Sequence, residues 1–200
     1  MKKSSFIEGA MITTIGIVIC KIIGLVYVIP FYNIIGSQGG ALYGYAYSIY
    51  AIFLSLSSSG IPVAMSRVVS EYNALEYYHT KEKTFKIGSL IIISLGLFFF
   101  VMLMLFAEPI AKLILGNLEG GNTIEGVSYV IRIVSTALLI VPLLSVTKGY
   151  LQGHKIMMPS SIANIIDQVV RVIVIVGGSF LAIKKFNLPL ETGVGIAVFG

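Results

Sequence analysis

The feature that most constrains this chain is a lysine set inside a long apolar run. The run covers residues 9–35, and about 20 apolar residues are enough to cross a bilayer. A charge near mid-membrane costs at least about 2.5 kcal/mol on insertion scales, so Lys21 is expected to face a protein interior or a water-filled cavity. Later apolar runs hold Arg132, Asp167 and Arg171. These intramembrane charges predict a chain that binds or moves a polar group within the membrane.

Composition indicates an all-α integral membrane protein, a polytopic helical bundle. The chain is 56% hydrophobic and only 12% charged, whereas soluble domains are about 25% charged. Its net charge of +5 does not predict nucleic-acid binding, because the basic residues lie between the apolar runs rather than in one cluster. Membrane orientation explains these residues better, and membrane lipids are expected partners of the chain.

Five apolar runs are long enough to span a membrane, and a sixth is cut short. The predicted spans are about residues 6–35, 41–65, 87–107, 127–146 and 162–183, with the truncated sixth from 193. Eight apolar residues do not cross a bilayer. We therefore expect residues 1–200 to be the N-terminal transmembrane lobe of a longer protein. The alternative is a short protein with a docked half-helix.

The positions of the basic residues predict an N-terminus in the cytoplasm and an uncleaved first span. Short cytoplasmic loops carry an excess of lysine and arginine. With the N-terminus inside, the cytoplasmic side holds Lys2, Lys3, Arg67, Lys81, Lys83, Lys86, Lys148 and Lys155, and the outer side holds Lys112, Lys184 and Lys185. A tyrosine cluster then falls at the outer end of span two, where an aromatic belt is expected; it comprises Tyr43, Tyr45, Tyr47 and Tyr50.

Small residues in span one predict close helix packing beside Lys21. Gly16, Cys20 and Gly24 recur every four residues, a spacing that lets helix backbones approach. Lys21 lies 100° further round the helix. Two interpretations stay open for it: a cationic contact for an anionic group in a central cavity, or an ion pair with a carboxylate from a neighbouring helix.

The other intramembrane charges favour structural roles on spacing alone. Asp167 and Arg171 are four residues apart, so they share a helix face and are expected to pair along it. Arg132 lies near the outer end of span four, where its side chain can reach the interface.

Motifs of enzymes and metal sites are absent from the sequence. The chain has no Gly-Lys-Ser/Thr phosphate loop, no His-Glu-x-x-His and no Cys/His metal spacing. We therefore predict no enzymatic activity, no cofactor and no metal. The single cysteine, Cys20, allows no intramolecular disulfide.

Several segments together resemble the polysaccharide-biosynthesis flippases of the multidrug/oligosaccharidyl-lipid/polysaccharide exporter superfamily. They are the first span from Gly9-Ala10 to Ile35-Gly36, the Gly60-Ile61-Pro62 element followed by Arg67, and the connection Lys148-Gly149-Tyr150-Leu151-Gln152-Gly153-His154 with Pro159, Gln168 and Arg171. Within that superfamily the chain is similar to the branch that contains stage V sporulation protein B and the lipid II flippases.

The resemblance implies a bacterial cytoplasmic-membrane flippase with about fourteen helices in two lobes and an alternating-access cycle. The implied substrate is an undecaprenyl-diphosphate-linked sugar, a lipid II-like cell-wall or polysaccharide precursor. A basic residue of helix one belongs to the family's cationic cavity, and Lys21 matches that position. Tyr27 stands where better-known lipid II flippases carry a further arginine, so the resemblance does not fix the sugar.

From the residues and the resemblance together, we expect Lys21 to contact the diphosphate. Arg171, oriented by Asp167, is the second candidate and Arg132 the third. A multidrug/cation antiporter is the nearest alternative, but it favours an acidic cavity, and the lone Asp167 lies beside an arginine. A non-transporting membrane scaffold in envelope or spore assembly is the other alternative. The sequence leaves open whether Na⁺ or H⁺ is a coupling ion.

Overall fold

The fold is built from α-helices throughout the described part of the chain. A computed structural model describes the backbone of residues 6–58, 60–116, 121–154 and 158–199, and their side chains except those of residues 6–10, 12, 13, 58 and 158–161. Within these ranges there is no β-strand. The helices are α1 (Phe6–Val26), α2 (Val28–Ser58), α3 (Ile61–Ala74), α4 (Tyr78–Leu115), α5 (Ile124–Ser135), α6 (Val141–Gly153), α7 (Met158–Val172) and α8 (Leu190–Phe199).

Within the described ranges, four helical stretches are long and apolar enough to cross a membrane. They are Val28–Ala74, Tyr78–Leu115, Ile124–Gly153 and Ile162–Lys185. Large apolar side chains remain outside the protein core, among them Leu25 at 73% exposure and Leu113 at 86%. Such continuous exposed apolar surface suits lipid rather than water. The chain is therefore an all-α, multi-pass membrane protein.

The turn between the first two apolar runs is made by Gly36. Its backbone has φ 68° and ψ −173°, a region that is essentially restricted to glycine. The earlier irregularity lies at Tyr27, between α1 and α2, because Pro30 has no N–H to bond to the carbonyl of Val26. The amide group of Tyr27 still bonds to Ile23 O at 3.4 Å, and Phe31 N bonds to Tyr27 O at 3.1 Å. The helix thus continues across this break and is kinked at Gly36.

A second proline interrupts the fourth apolar run. Pro142 opens α6, and a 3₁₀ turn at Thr136–Leu139 separates it from α5. Pro142 leaves the carbonyl of Leu138 without its helical donor. That oxygen lies against α4 at Gly96, where an added Cβ would be only 2.5 Å away. Glycine at this position lets the broken helix pack on α4.

Two helices are longer than the apolar runs they contain. α4 begins at Tyr78 in the polar segment that precedes the predicted third span. The helix that starts as α7 continues beyond Val172 through π-helical turns at Ile173–Gly178 and Leu181–Lys185. Hydropathy marks only the part of a helix that is apolar, so these ends are not visible in it.

The buried core centres on α5, which contacts α2, α4 and α8. Thr123 caps its N-terminus, since its hydroxyl accepts a hydrogen bond from Gly126 N at 3.0 Å. The fully buried side chains around this helix include Phe31, Leu42, Leu103, Val127, Val130, Ile131, Val134, Leu138 and Val194. A smaller cluster of Met65, Val69, Ile92 and Val146 joins α3, α4 and α6.

Polar contacts link the part of α2 just after the Gly36 kink to the α4–α5 connection. The side-chain amide of Gln38 donates a hydrogen bond to Gly121 O at 2.5 Å. In return, Asn122 Nδ2 donates to Gln38 O at 3.2 Å. The beginning of the second apolar run is therefore tied to the start of α5.

Candidate functional site

The site begins where α1 packs against α7. The thiol of Cys20 donates a hydrogen bond to the carbonyl oxygen of Asn164, with an Sγ–O distance of 3.5 Å. A Cβ added to Gly24 would lie 3.4 Å from Gln168 Nε2. The stripe of small residues in α1 therefore faces α7, which is the close helix packing that its spacing predicts.

The charges of α1 and α7 meet in a cavity beside this contact. Its volume is about 340 Å³. Lys21 lies on one wall, and Asp167 and Arg171 lie on the other. The remaining lining residues are Gly16, Ile17, Cys20, Asn164 and Gln168. Three of the four charged residues singled out in the sequence are thus brought together, two cations and one carboxylate.

Asp167 pairs with Lys148 rather than with Arg171. Its Oδ2 lies 3.9 Å from Lys148 Nζ, which α6 carries. Arg171 forms no salt bridge with any described residue. The predicted pairing along the helix is therefore wrong, because tertiary packing of α6 supplies a cation that sequence spacing within α7 does not reveal.

Lys21 likewise has no salt bridge within the described residues. Asp167, the carboxylate that lines the same cavity, has its ion pair with Lys148. The alternative of a structural ion pair for Lys21 is not formed here. The cavity consequently presents two cations, Lys21 and Arg171, that have no protein carboxylate bound to them in the described part of the chain.

A second cavity, of about 470 Å³, adjoins the first. Asp167 and Arg171 line both. Across from them stand four tyrosines, Tyr27, Tyr43, Tyr47 and Tyr50. The guanidinium of Arg171 is close enough to Tyr43 and Tyr50 to interact with their hydroxyl groups electrostatically. We call this space the tyrosine cavity.

The rings of the tyrosine cavity form a continuous aromatic wall. Phe31 packs edge-on against Tyr43 with 5.1 Å between ring centroids. Tyr43 and Tyr47 are stacked, at 5.7 Å and an interplanar angle of 8°, and Tyr50 follows Tyr47 at 6.3 Å. The hydroxyl groups of Tyr27 and Tyr43 lie close enough to interact with each other. This wall joins Tyr27, at the break before α2, to the later turns of α2.

The aromatic-belt interpretation places these tyrosines at a depth in the membrane. It does not say in which direction their rings point. Tyr43, Tyr47 and Tyr50 line the cavity, and Tyr45 packs against the protein core. Their spacing of i, i+4 and i+7 places three rings on one helix face. This spacing is the sequence feature from which a shared face could be predicted. Spacing alone does not say whether that face points to lipid or to the interior.

Arg132 lies apart from both cavities. It is an exposed residue in the last turn of α5. Its charge acts on Glu108 of α4, which forms a salt bridge of 2.7 Å with Lys112. The structure therefore does not bring the third candidate of the sequence to Lys21.

Sequence reasoning also missed several polar neighbours of the site. Lys148, Asn164 and Gln168 belong to it by contact, although none stands out in the sequence as an intramembrane charge. The described residues contain no group of three or more His, Cys, Asp or Glu side chains that would hold a metal ion. The chemistry on offer is recognition of an anion and of neutral polar groups.

Comparison with known sequences assigns the chain to a family. The profile of the family described as polysaccharide biosynthesis protein matches residues 6–199. This chain belongs to that family. It is 40% identical to lipid II flippase MurJ of Bacillus subtilis (strain 168) over 197 residues, which is 98% of this chain and 36% of the relative.

Two further relatives come from the same bacterium. The uncharacterized membrane protein YabM is 33% identical over 178 residues, covering 89% of this chain and 31% of the relative. Stage V sporulation protein B is 28% identical over 172 residues, covering 86% and 32%. The chain therefore spans about a third of the length of these relatives. No solved structure matches it.

Proposed function

We propose that this chain forms part of a flippase for polyprenyl-diphosphate-linked cell-wall or polysaccharide precursors. The observation that carries the proposal is the cavity between α1 and α7, where Lys21 and Arg171 have no salt bridge within the described residues. Both side chains are exposed to the cavity rather than buried in the protein, and a cation at this depth in a membrane is costly unless it is paired or reaches water. An anionic substrate headgroup supplies the missing partner.

A diphosphate fits this charge pattern better than a cationic drug does. It carries several strong acceptor oxygens, and a guanidinium binds such oxygens through two parallel hydrogen bonds. A cation would instead need a free carboxylate, but Asp167 is paired with Lys148. The relatives also favour a diphosphate-linked substrate over a cationic drug, since one of them is named a lipid II flippase.

Transport rather than catalysis is the expected activity. In a flippase of this kind, the polar headgroup crosses through the cavity while the lipid tail stays in the bilayer, and the two openings of the cavity alternate. An inside-negative membrane potential favours outward movement of an anionic headgroup by about 2.3 kcal/mol per charge per 100 mV. Nucleotide hydrolysis is therefore not required. The N-terminus is placed in the cytoplasm in this proposal.

The test replaces Lys21 in cells that depend on this gene. The gene is depleted, and the wild type, Lys21→Ala or Lys21→Arg is restored at matched membrane abundance. The measurement is the fraction of lipid-linked precursor accessible on the outer leaflet. We expect Lys21→Ala to leave the precursor inside and Lys21→Arg to restore flipping, because the charge at this position is the property that matters.

Lys112→Ala is the matched control, since it removes a lysine that lies outside the cavity in an exposed pair with Glu108. It is expected to flip normally. Arg171→Ala should impair flipping more than Arg132→Ala, because only Arg171 lines the cavity. Normal flipping by Lys21→Ala would refute the cationic site. If depletion of the gene changes nothing, the flippase proposal itself fails, and a scaffold role gains support.

A further inference from the structure

The tyrosine cavity differs chemically from a site for a lipid tail. An apolar groove between α3 and α4 provides the comparison, since it is lined almost entirely by aliphatic side chains such as Ile61, Met65 and Ile91. The tyrosine cavity combines aromatic rings and phenol hydroxyl groups with the charges of Arg171 and Asp167, and apolar side chains such as Ile140 and Ile175 form the rest of its wall. It therefore suits a ligand that has both apolar C–H faces and many hydroxyl groups.

We propose that the tyrosine cavity binds the sugar of the lipid-linked precursor, with Tyr47 as the ring on which the sugar stacks. A pyranose ring presents C–H groups on its faces and hydroxyl groups at its edge. The face of an aromatic ring carries partial negative charge and attracts such C–H groups. Phenol hydroxyls both donate and accept hydrogen bonds, and a carboxylate such as Asp167 accepts them from hydroxyl groups.

The geometry places this site next to the proposed diphosphate contact. Arg171 and Asp167 line both cavities, so a headgroup whose diphosphate lies between Lys21 and Arg171 extends its attached sugar past Arg171. Tyr43 to Tyr50 covers seven residues of α2, or about 10 Å along the helix axis. The aromatic wall is therefore long enough to follow more than one sugar ring.

Tyr47 is the member of the wall best placed to stack. It is 44% exposed, whereas Tyr27, Tyr43 and Tyr50 are half-buried. Tyr43 is covered on one side by Tyr47 itself and packs edge-on against Phe31. Replacing Tyr47 thus removes an accessible ring and leaves the edge-on contact between Phe31 and Tyr43 in place.

The inference rests on the proposed function, and its test separates the two. The protein is reconstituted into lipid nanodiscs, and its affinity is measured for undecaprenyl diphosphate and for the same lipid carrying one N-acetylhexosamine. We expect the sugar-bearing lipid to bind about five- to tenfold more tightly, the size expected for one aromatic contact. Tyr47→Leu should abolish this ratio while leaving the affinity for the sugar-free lipid unchanged.

Tyr47→Trp provides the second variant. The chain contains no tryptophan, so this substitution introduces a single fluorophore and keeps an aromatic face. It should preserve the affinity ratio, and its emission should change with the sugar-bearing lipid but not with the sugar-free one. Equal emission with both lipids overturns the stacking role even if Tyr47→Leu does not fold.

Lys21→Ala distinguishes failure of the proposed function from failure of the inference. It should weaken binding of both lipids by the same factor, because both carry the diphosphate. If Lys21→Ala does so but wild type binds both lipids equally, the sugar site is wrong and the flippase proposal stands. If wild type binds neither lipid, both are wrong. An affinity ratio that survives Tyr47→Leu also refutes the role of Tyr47.

Discussion

Asp167 lies at the boundary between the two cavities and is the one carboxylate among their described lining residues. It lines both and forms an ion pair with Lys148 at 3.9 Å. Because it is half-exposed, at 56% of its side chain, this pair adds little to stability. Its effect is on the cavity instead, where one negative charge offsets the attraction of Lys21 and Arg171 for an anion. A transporter must release its substrate, so such moderation is useful.

Asp167→Asn is therefore expected to tighten binding of undecaprenyl diphosphate several-fold and to slow its release. The physical reason is the loss of a repulsive charge next to the phosphate oxygens. Affinity in nanodiscs at low and high salt measures the effect, which should be smaller at high salt. Glu108→Gln is the control, since Glu108 pairs with Lys112 away from the cavity. Weaker binding by Asp167→Asn would mean that the carboxylate positions Arg171 or Lys148.

At the level of single residues, the sequence identified the charges but not their partners. The cost of a lysine in an apolar run was enough to single out Lys21, and the cavity contains it. The partner of Asp167 was not predictable from the i, i+4 rule, because Lys148 comes from another helix. The tyrosines had the correct spacing for one face, but no local rule says that this face looks toward Arg171.

Among the helices, α3 and α6 form the tightest contact. A Cβ added to Gly149 would lie 2.5 Å from Pro62 O and 2.7 Å from Pro62 Cα. At Gly153 it would lie 2.6 Å from Val69 Cβ. Since real Cβ atoms do not approach so closely, these two glycines set the separation of the helices. The first turn of α3, which contains Pro62, therefore packs directly against α6.

Gly149→Ala should destabilise the protein by about 1–3 kcal/mol, the usual cost of overpacking. The contacted atoms belong to the backbone of Pro62, which does not move aside as a side chain does. The apparent melting temperature of the purified protein in detergent measures the effect. Gly44→Ala is the matched control, because a Cβ there meets no atom within 4 Å and alanine favours the helix. Equal melting temperatures for the two variants would show that α3 and α6 can move apart to accept the added methyl group without loss of stability.

The helices themselves were largely predictable, and their interruptions less so. The described residues contain four helical stretches that are long and apolar enough to cross a membrane, whereas the apolar runs predict five full spans and a truncated sixth. Pro142 interrupts the fourth run, and a 3₁₀ turn precedes it where Leu138 packs on Gly96. Pro30 lies in the first run, and the irregularity falls at Tyr27, three residues earlier. Proline disturbs the turn before it, since that is where its missing N–H would bond.

For the whole molecule, the distribution of lysine and arginine predicts a cytoplasmic N-terminus. Under this topology, the α3–α4 connection faces the cytoplasm, and the end of the helix at Lys185 faces outward. Both regions are exposed in the structure. They provide well-separated positions for measuring orientation.

Cysteine labelling in intact cells tests this topology. Cys20→Ser removes the one natural thiol and keeps a donor for the carbonyl of Asn164. In that background, a membrane-impermeant maleimide should label Lys185→Cys but not Glu82→Cys, because only the former is expected outside. Permeabilised cells should label both, which controls for thiol reactivity. Labelling of Glu82→Cys alone in intact cells would reverse the orientation.

The hydrogen bonds of Gln38 to Gly121 and Asn122 give α2 a pivot. Tyr43 lies about 8 Å along the helix from Gln38, and Tyr50 lies about 18 Å from it, at 1.5 Å per residue. Any tilt of α2 about that point therefore displaces Tyr50 more than twice as far as Tyr43. Tyr50 lies at the far end of the aromatic wall, so a small rotation of α2 about Gln38 changes its position relative to Arg171 the most.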